Sequence, residues 1–124
     1  METKLEYIIT NSYKADSISY IKSNPEVFDE IVELAISNKQ PYSWRAAWIL
    51  WSCMEKNDAR LQKSVGKIID AIISQPDNQK RELLIVMQQI NFSDKHDSKL
   101  LDICIEIWRD ISKQASLRFN AFRL

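Results

Sequence analysis

The sequence predicts an all-α protein of about three stacked helical hairpins, a right-handed α–α superhelix, with an N-terminal capping segment ahead of them. Three observations carry this. Only one glycine, Gly66, and three prolines occur in 124 residues, which starves any architecture built on tight β-hairpin turns and favours helices. Apolar residues recur at i, i+3 and i+4, and no segment has the period-2 alternation of a half-buried strand. Finally, one phrase recurs. Ser43-Trp44-Arg45-Ala46-Ala47-Trp48-Ile49-Leu50 answers to Gln79-Lys80-Arg81-Glu82-Leu83-Leu84-Ile85-Val86 and to Ser116-Leu117-Arg118-Phe119-Asn120-Ala121-Phe122-Arg123, with the arginines 36 and 37 residues apart. A period of this size in helical sequence marks stacked units, each unable to bury its apolar face alone.

The elements follow in order. Leu5 to Thr10 is a short apolar run of one or two helical turns, broken at Asn11-Ser12. Lys14 to Ser23 places Ile18 and Ile21 at helical spacing. Asn24-Pro25 ends it, because a residue before proline avoids helical geometry, while Pro25 suits the first turn of the next helix with Asn24 as its cap. Residues 1–24 are therefore read as the capping segment. Residues 25–57 form the first unit: a helix from Pro25 to Ser37, a break at Asn38-Lys39-Gln40-Pro41, and a second helix capped by Ser43 that runs to about Lys56. Residues 58–91 form the second, with Asn57 or Asp58 as cap, helices from Leu61 to Ser74 and from Gln79 to about Gln89, and Gln75-Pro76-Asp77-Asn78 between them. Residues 92–124 form the third. It opens with the longest polar interruption, Asn91 to Asp97, before a helix from Ser98 to Ser112 and a last one from Ser116.

The first helix of each unit repeats as well. Phe28, Val32, Ile36 is matched by Val65, Ile69, Ile73 and by Ile103, Ile107, Ile111, each stripe followed by a serine: Ser37, Ser74, Ser112. The short links make successive helices antiparallel neighbours.

These residues resemble HEAT repeats, helical hairpins whose second helix opens with a small or β-branched residue, then arginine, then alanine-rich apolar positions. The first unit matches this best; Glu82 and Phe119 stand where Ala46 does, and Asp77 is the candidate for the aspartate such repeats carry in the turn. The resemblance covers Pro25 to Leu124. The chain is also similar to small bacterial HEAT-like proteins, some of which carry the label adenylosuccinate lyase; nothing in this sequence supplies the catalytic loops of that much longer enzyme. The resemblance implies a scaffold and a shallow groove lined by the second helices.

The bulk numbers narrow the function. Seventeen basic residues balance 17 acidic ones, which removes the global electrostatic argument for nucleic acid or an anionic membrane. No apolar run has signal-peptide or membrane-spanning length, and the expected location is the cytoplasm. Cys53 and Cys104 lie in apolar helical pattern and read as small buried hydrophobes. His96, beside Asp94 and Asp97, reads as a solvated loop residue with Asp97 or Ser98 as a helix cap, since no second cluster at ligand spacing exists. No cofactor is implied, and no catalytic constellation.

The expectation is a non-enzymatic module that binds a protein or peptide through Trp44, Arg45, Arg81 and Arg118. Trp44, Trp48 and Trp51 share one helical face; Trp48 and Trp51 align with apolar positions of the other units and are expected to be buried, leaving Trp44 for a partner. The arginines are read either as a ladder along the groove or as links to the adjacent repeat. An alternative is a nucleic-acid binder of the HEAT-like alkylpurine DNA glycosylase type, which tryptophans beside an arginine suggest and balanced charge opposes. The last phrase ends soon after Arg118, so the final stacking face is expected to need a cover, such as a second copy packed on Phe122 and Leu124.

Overall fold

A computed structural model describes residues 2–91, 94–110 and 112–122. Among them are eight α-helices: α1 (Lys4–Asn11), α2 (Lys14–Ser23), α3 (Phe28–Ile36), α4 (Tyr42–Cys53), α5 (Val65–Ser74), α6 (Asp77–Met87), α7 (Asp94–Arg109) and α8 (Ala115–Phe122). Short 3₁₀ turns, Pro25–Val27 and Ala59–Ser64, lead into α3 and α5. No strand occurs among the described residues.

The helices form a two-layer solenoid. α4, α6 and α8 pack successively into one layer, α3, α5 and α7 into the other, and each layer-one helix also packs on its partner to close a hairpin. α1 and α2 both lie against α4. Core residues line the inner faces: Ile31 from α3, Ile49 and Leu50 from α4, Ile68, Ile69 and Ile72 from α5, and Leu83, Leu84 and Met87 from α6 are fully buried. The repeated stripes run along these faces until their ends. Phe28, Val32, Val65, Ile69 and Ile107 are buried, Ile36 and Ile103 are half-buried, and Ile73 is exposed. Ile111, Arg123 and Leu124 lie outside the described residues.

Buried polar groups tie one hairpin to the next. Gln79 on α6 is fully buried and donates through Nε2 to the carbonyls of Ala35 (2.7 Å) and Ser37 (2.8 Å). These are end-of-helix carbonyls of α3 that its own ladder leaves without a donor. Gln89 donates to the Trp51 carbonyl at 3.1 Å, and Gln88 to Asn120 at 3.1 Å. On the outer layer, Lys63–Asp29, Lys67–Glu33 and Lys99–Asp70 pair across neighbouring helices. Such exposed pairs contribute little individually; they match register more than they stabilise.

Several local expectations are corrected. Ser43 does not cap α4 from outside. It lies within the first turn, fully buried, where its hydroxyl accepts from the Lys39 amide and bonds the Ser37 hydroxyl at 2.8 Å. Asn24 makes no side-chain cap; its amide turns back to the Tyr20 carbonyl. Asp58 does cap, accepting from the Arg60 amide at 3.0 Å while its carboxylate grips the Arg60 guanidinium, which itself lies 3.6 Å over the Phe28 ring. The segment expected to be loop as far as Asp97 is helical from Asp94, so His96 sits on α7, where its ring approaches Gly66 of α5. A polar sequence hid that turn because its solvent-facing positions outnumber the packed ones. Cys53 and Cys104 are buried free thiols, and burial pushes each up to about 11.

Candidate functional site

The second helices supply the candidate surface because their layer is continuous and α4 carries three half-buried tryptophans, two of them packed against the edge of the core. Ala46, Ala47, Ile49 and Leu50 of α4 are fully buried, and α4 packs on α6, where Trp51 bonds to Glu82 and, just past the helix end, to Gln89. That packing leaves Trp44, Trp48 and Trp51 on the flank, all three half-buried. Trp48, aligned with Leu84 and Ala121, and Trp51, aligned with Met87 and Leu124, were expected to be buried; both pack against the core but stay partly exposed. Trp44 and Trp48 stack nearly parallel, 5.8 Å between centroids and 2° between planes. Trp48 and Trp51 rest on the edge of the core.

Two residues that sequence reasoning did not assign to this surface complete it. Lys14, from the first turn of α2, places its ammonium 4.4 Å from the Trp48 ring centroid and 4.2 Å from that of Trp51. Glu82 on α6 is fully buried; one carboxylate oxygen accepts from Trp51 Nε1 at 3.1 Å, the other from the Arg81 guanidinium at 2.8 Å. Burial pushes the Lys14 ammonium below its ordinary pKa, and the negative charge of Glu82 opposes that shift. The sequence did hold a sign of Glu82, which stands in a repeat slot filled elsewhere by Ala46 and Phe119. A charge in such a slot must be paired where it is buried.

Among the described residues the arginines have three different sets of partners, none in an adjacent repeat. Arg45 lies 5.6 Å from the Trp44 ring centroid, Arg81 pairs with its neighbour Glu82, and Arg118 donates to the Trp108 carbonyl of its own hairpin at 2.9 Å. Arg45 therefore sits with the tryptophans, Arg81 anchors Glu82, and Arg118 is spent holding α8 to α7. Among the described residues no three His, Cys, Asp or Glu side chains are placed to share a metal ion, and no helix is long and apolar enough to cross a membrane.

The family model of a HEAT repeat domain matches residues 1–124. The chain belongs to the HEAT repeat family. The match takes in α1 and α2 together with the three hairpins. No curated protein and no solved structure matches the chain significantly. HEAT repeats are helical scaffolds, generally non-enzymatic and commonly used to bind other proteins, and the aromatic flank of α4 is where this HEAT domain departs from a plain stack.

Proposed function

We propose that this HEAT repeat domain is a non-enzymatic module that binds a protein or peptide partner on the flank of its second helices, with Trp44 and Arg45 as the contact residues. One observation carries the reading: Trp44, Trp48 and Trp51 form a half-buried aromatic shelf with Lys14 and Arg45 beside its rings, and Trp44, at its outer end, is not among the side chains packed on the core. Tryptophan and arginine are the residues that dominate binding energy when a partner covers them. Arg81 supports this surface by holding Glu82, which bonds Trp51, whereas Arg118 is committed to Trp108 of the third hairpin. The test is a titration of a partner captured from cytosol and then purified. Trp44→Ala should weaken it by about 2 kcal/mol, roughly thirtyfold, whereas Lys67→Ala on the outer layer should leave it unchanged. Equal affinities for the two variants would sink the assignment.

A second reading, self-association, is favoured by the third hairpin. Leu101, Ile105, Trp108 and Phe122 are exposed and, with Leu100, Cys104 and Ala121, border a groove of about 340 Å³. A second copy of the same apolar face is the occupant for which this reading stands. Sedimentation at high concentration tests it, and a monomer throughout would remove it.

A further inference from the structure

We infer that Trp48, Trp51 and Glu82 form a cradle for a primary ammonium group, that Lys14 occupies it as an internal ligand, and that a lysine of the bound partner displaces Lys14. The last clause rests on the protein-binding reading above; the first two do not.

The position of Lys14 calls for an explanation. It is the first residue of α2, where the positive end of the helix dipole disfavours a cation. It is nonetheless directed over two indole rings, both within the 6 Å range of a cation–π contact. The rings are held in place from the other side. Glu82, buried on α6, receives the Trp51 indole N–H on one oxygen and Arg81 on the other. Arg81 and Glu82 balance each other, so the cradle without Lys14 is neutral and still presents two π faces beside a buried carboxylate. Its chemistry suits a desolvated monovalent cation. The parallel Trp44 ring, stacked on Trp48, continues the same shelf outward to Arg45.

Lys14 can leave without unfolding α2. Its attachment to the cradle is a flexible, unbranched stem, while α2 is held separately by buried Ser17 and Ile21. A partner lysine arriving along the shelf would replace one ammonium by another, a near-balanced exchange that regulates access to the surface.

The cradle is tested with n-butylammonium and its neutral analogue n-butanol, read by tryptophan fluorescence at matched ionic strength. Lys14→Ala should bind n-butylammonium saturably, about tenfold more tightly than n-butanol and about tenfold more tightly than the unaltered chain does. Adding Glu82→Gln to that variant should abolish the preference for the cation. Equal binding of the amine and the alcohol, or no saturable binding to a folded Lys14→Ala chain, overturns the cradle. The unaltered chain offers a check that needs no variant. Acetylation of Lys14 by an amine-reactive ester, mapped by mass spectrometry, should run about tenfold slower than that of exposed Lys22 and Lys56, and equal rates overturn it. Saturation with the purified partner should then accelerate Lys14 acetylation; an unchanged rate removes the displacement clause and leaves the cradle standing.

Discussion

The seam between the first two hairpins and the outer face of the third are built from the same repeat, yet only the seam is closed. At the seam, apolar residues of α3, α4, α5 and α6 are buried, and Gln79 crosses between units to satisfy two carbonyls of α3. At the outer face of α7 and α8, Leu101, Trp108 and Phe122 are exposed, with Trp108 and Phe122 tilted against each other at 4.9 Å. The difference teaches what a repeat unit is for: its second face is complementary to a neighbour, and where no neighbour lies the same apolar pattern becomes surface. It also separates two kinds of polar residue. Gln79 and Asp58 are buried and fixed by backbone groups of the adjoining unit or turn, whereas Lys99 of the third hairpin reaches the second through an exposed ion pair with Asp70.

That contrast can be broken first at its strongest point. Gln79→Leu keeps the side chain's bulk but removes both donated bonds, leaving the Ala35 and Ser37 carbonyls buried without a partner. Urea unfolding should report a loss of about 2–4 kcal/mol; a loss below about 1 kcal/mol would mean the seam is held by apolar packing alone.

A smaller effect is expected at Asp58, where the turn after α4 is clamped. The Arg60 guanidinium, followed by the Glu55 and Arg60 amides, holds the Asp58 carboxyl at about 2, against the opposing cost of its burial. The folded pKa lies below the unfolded one, so the stabilisation is fully present above about pH 4 and is lost as pH falls through about 2. Asp58→Asn should remove about 2 kcal/mol at neutral pH and flatten the acid limb between those values. An unaltered acid limb in thermal melts would show that the clamp contributes nothing.

The smallest effect belongs to the open face. Leu101→Glu should change unfolding free energy by no more than about 0.5 kcal/mol, as expected for a surface position. In sedimentation the same substitution should dissolve any dimer formed through α7 and α8. A large destabilisation of a monomeric chain would contradict the exposure of that face.

Much of the fold was legible because periodicity and punctuation act locally. The paired stripes ending at Ser37, Ser74 and Ser112 placed the first helices, and Pro41 and Pro76 separated them from the second. Where the reading failed, the cause was tertiary. His96 fell in a polar stretch whose few packed positions, such as Leu100 against the core, carried too little apolar signal to announce the start of α7. Trp48 and Trp51 were expected to be buried because their repeat equivalents are apolar; they do pack against the core, but part of each ring stays open and lies under Lys14. Of the candidate surface, Trp44 and Arg45 were visible as a motif. Arg118 was visible too, yet its guanidinium is committed to the Trp108 carbonyl.

By itself the sequence determined an all-helical stack of paired helices, because helix periodicity, the scarcity of glycine and the recurrence of one phrase are properties of neighbouring residues. Only the tertiary structure decided that Lys14, Trp48, Trp51 and Glu82 meet. Lys14 and Glu82 are separated by most of two hairpins along the chain, and although Glu82 stands in an apolar repeat slot, no local pattern pairs it with Lys14. Their meeting depends on α2 and α6 both flanking α4, a consequence of how hairpins stack that no local pattern encodes.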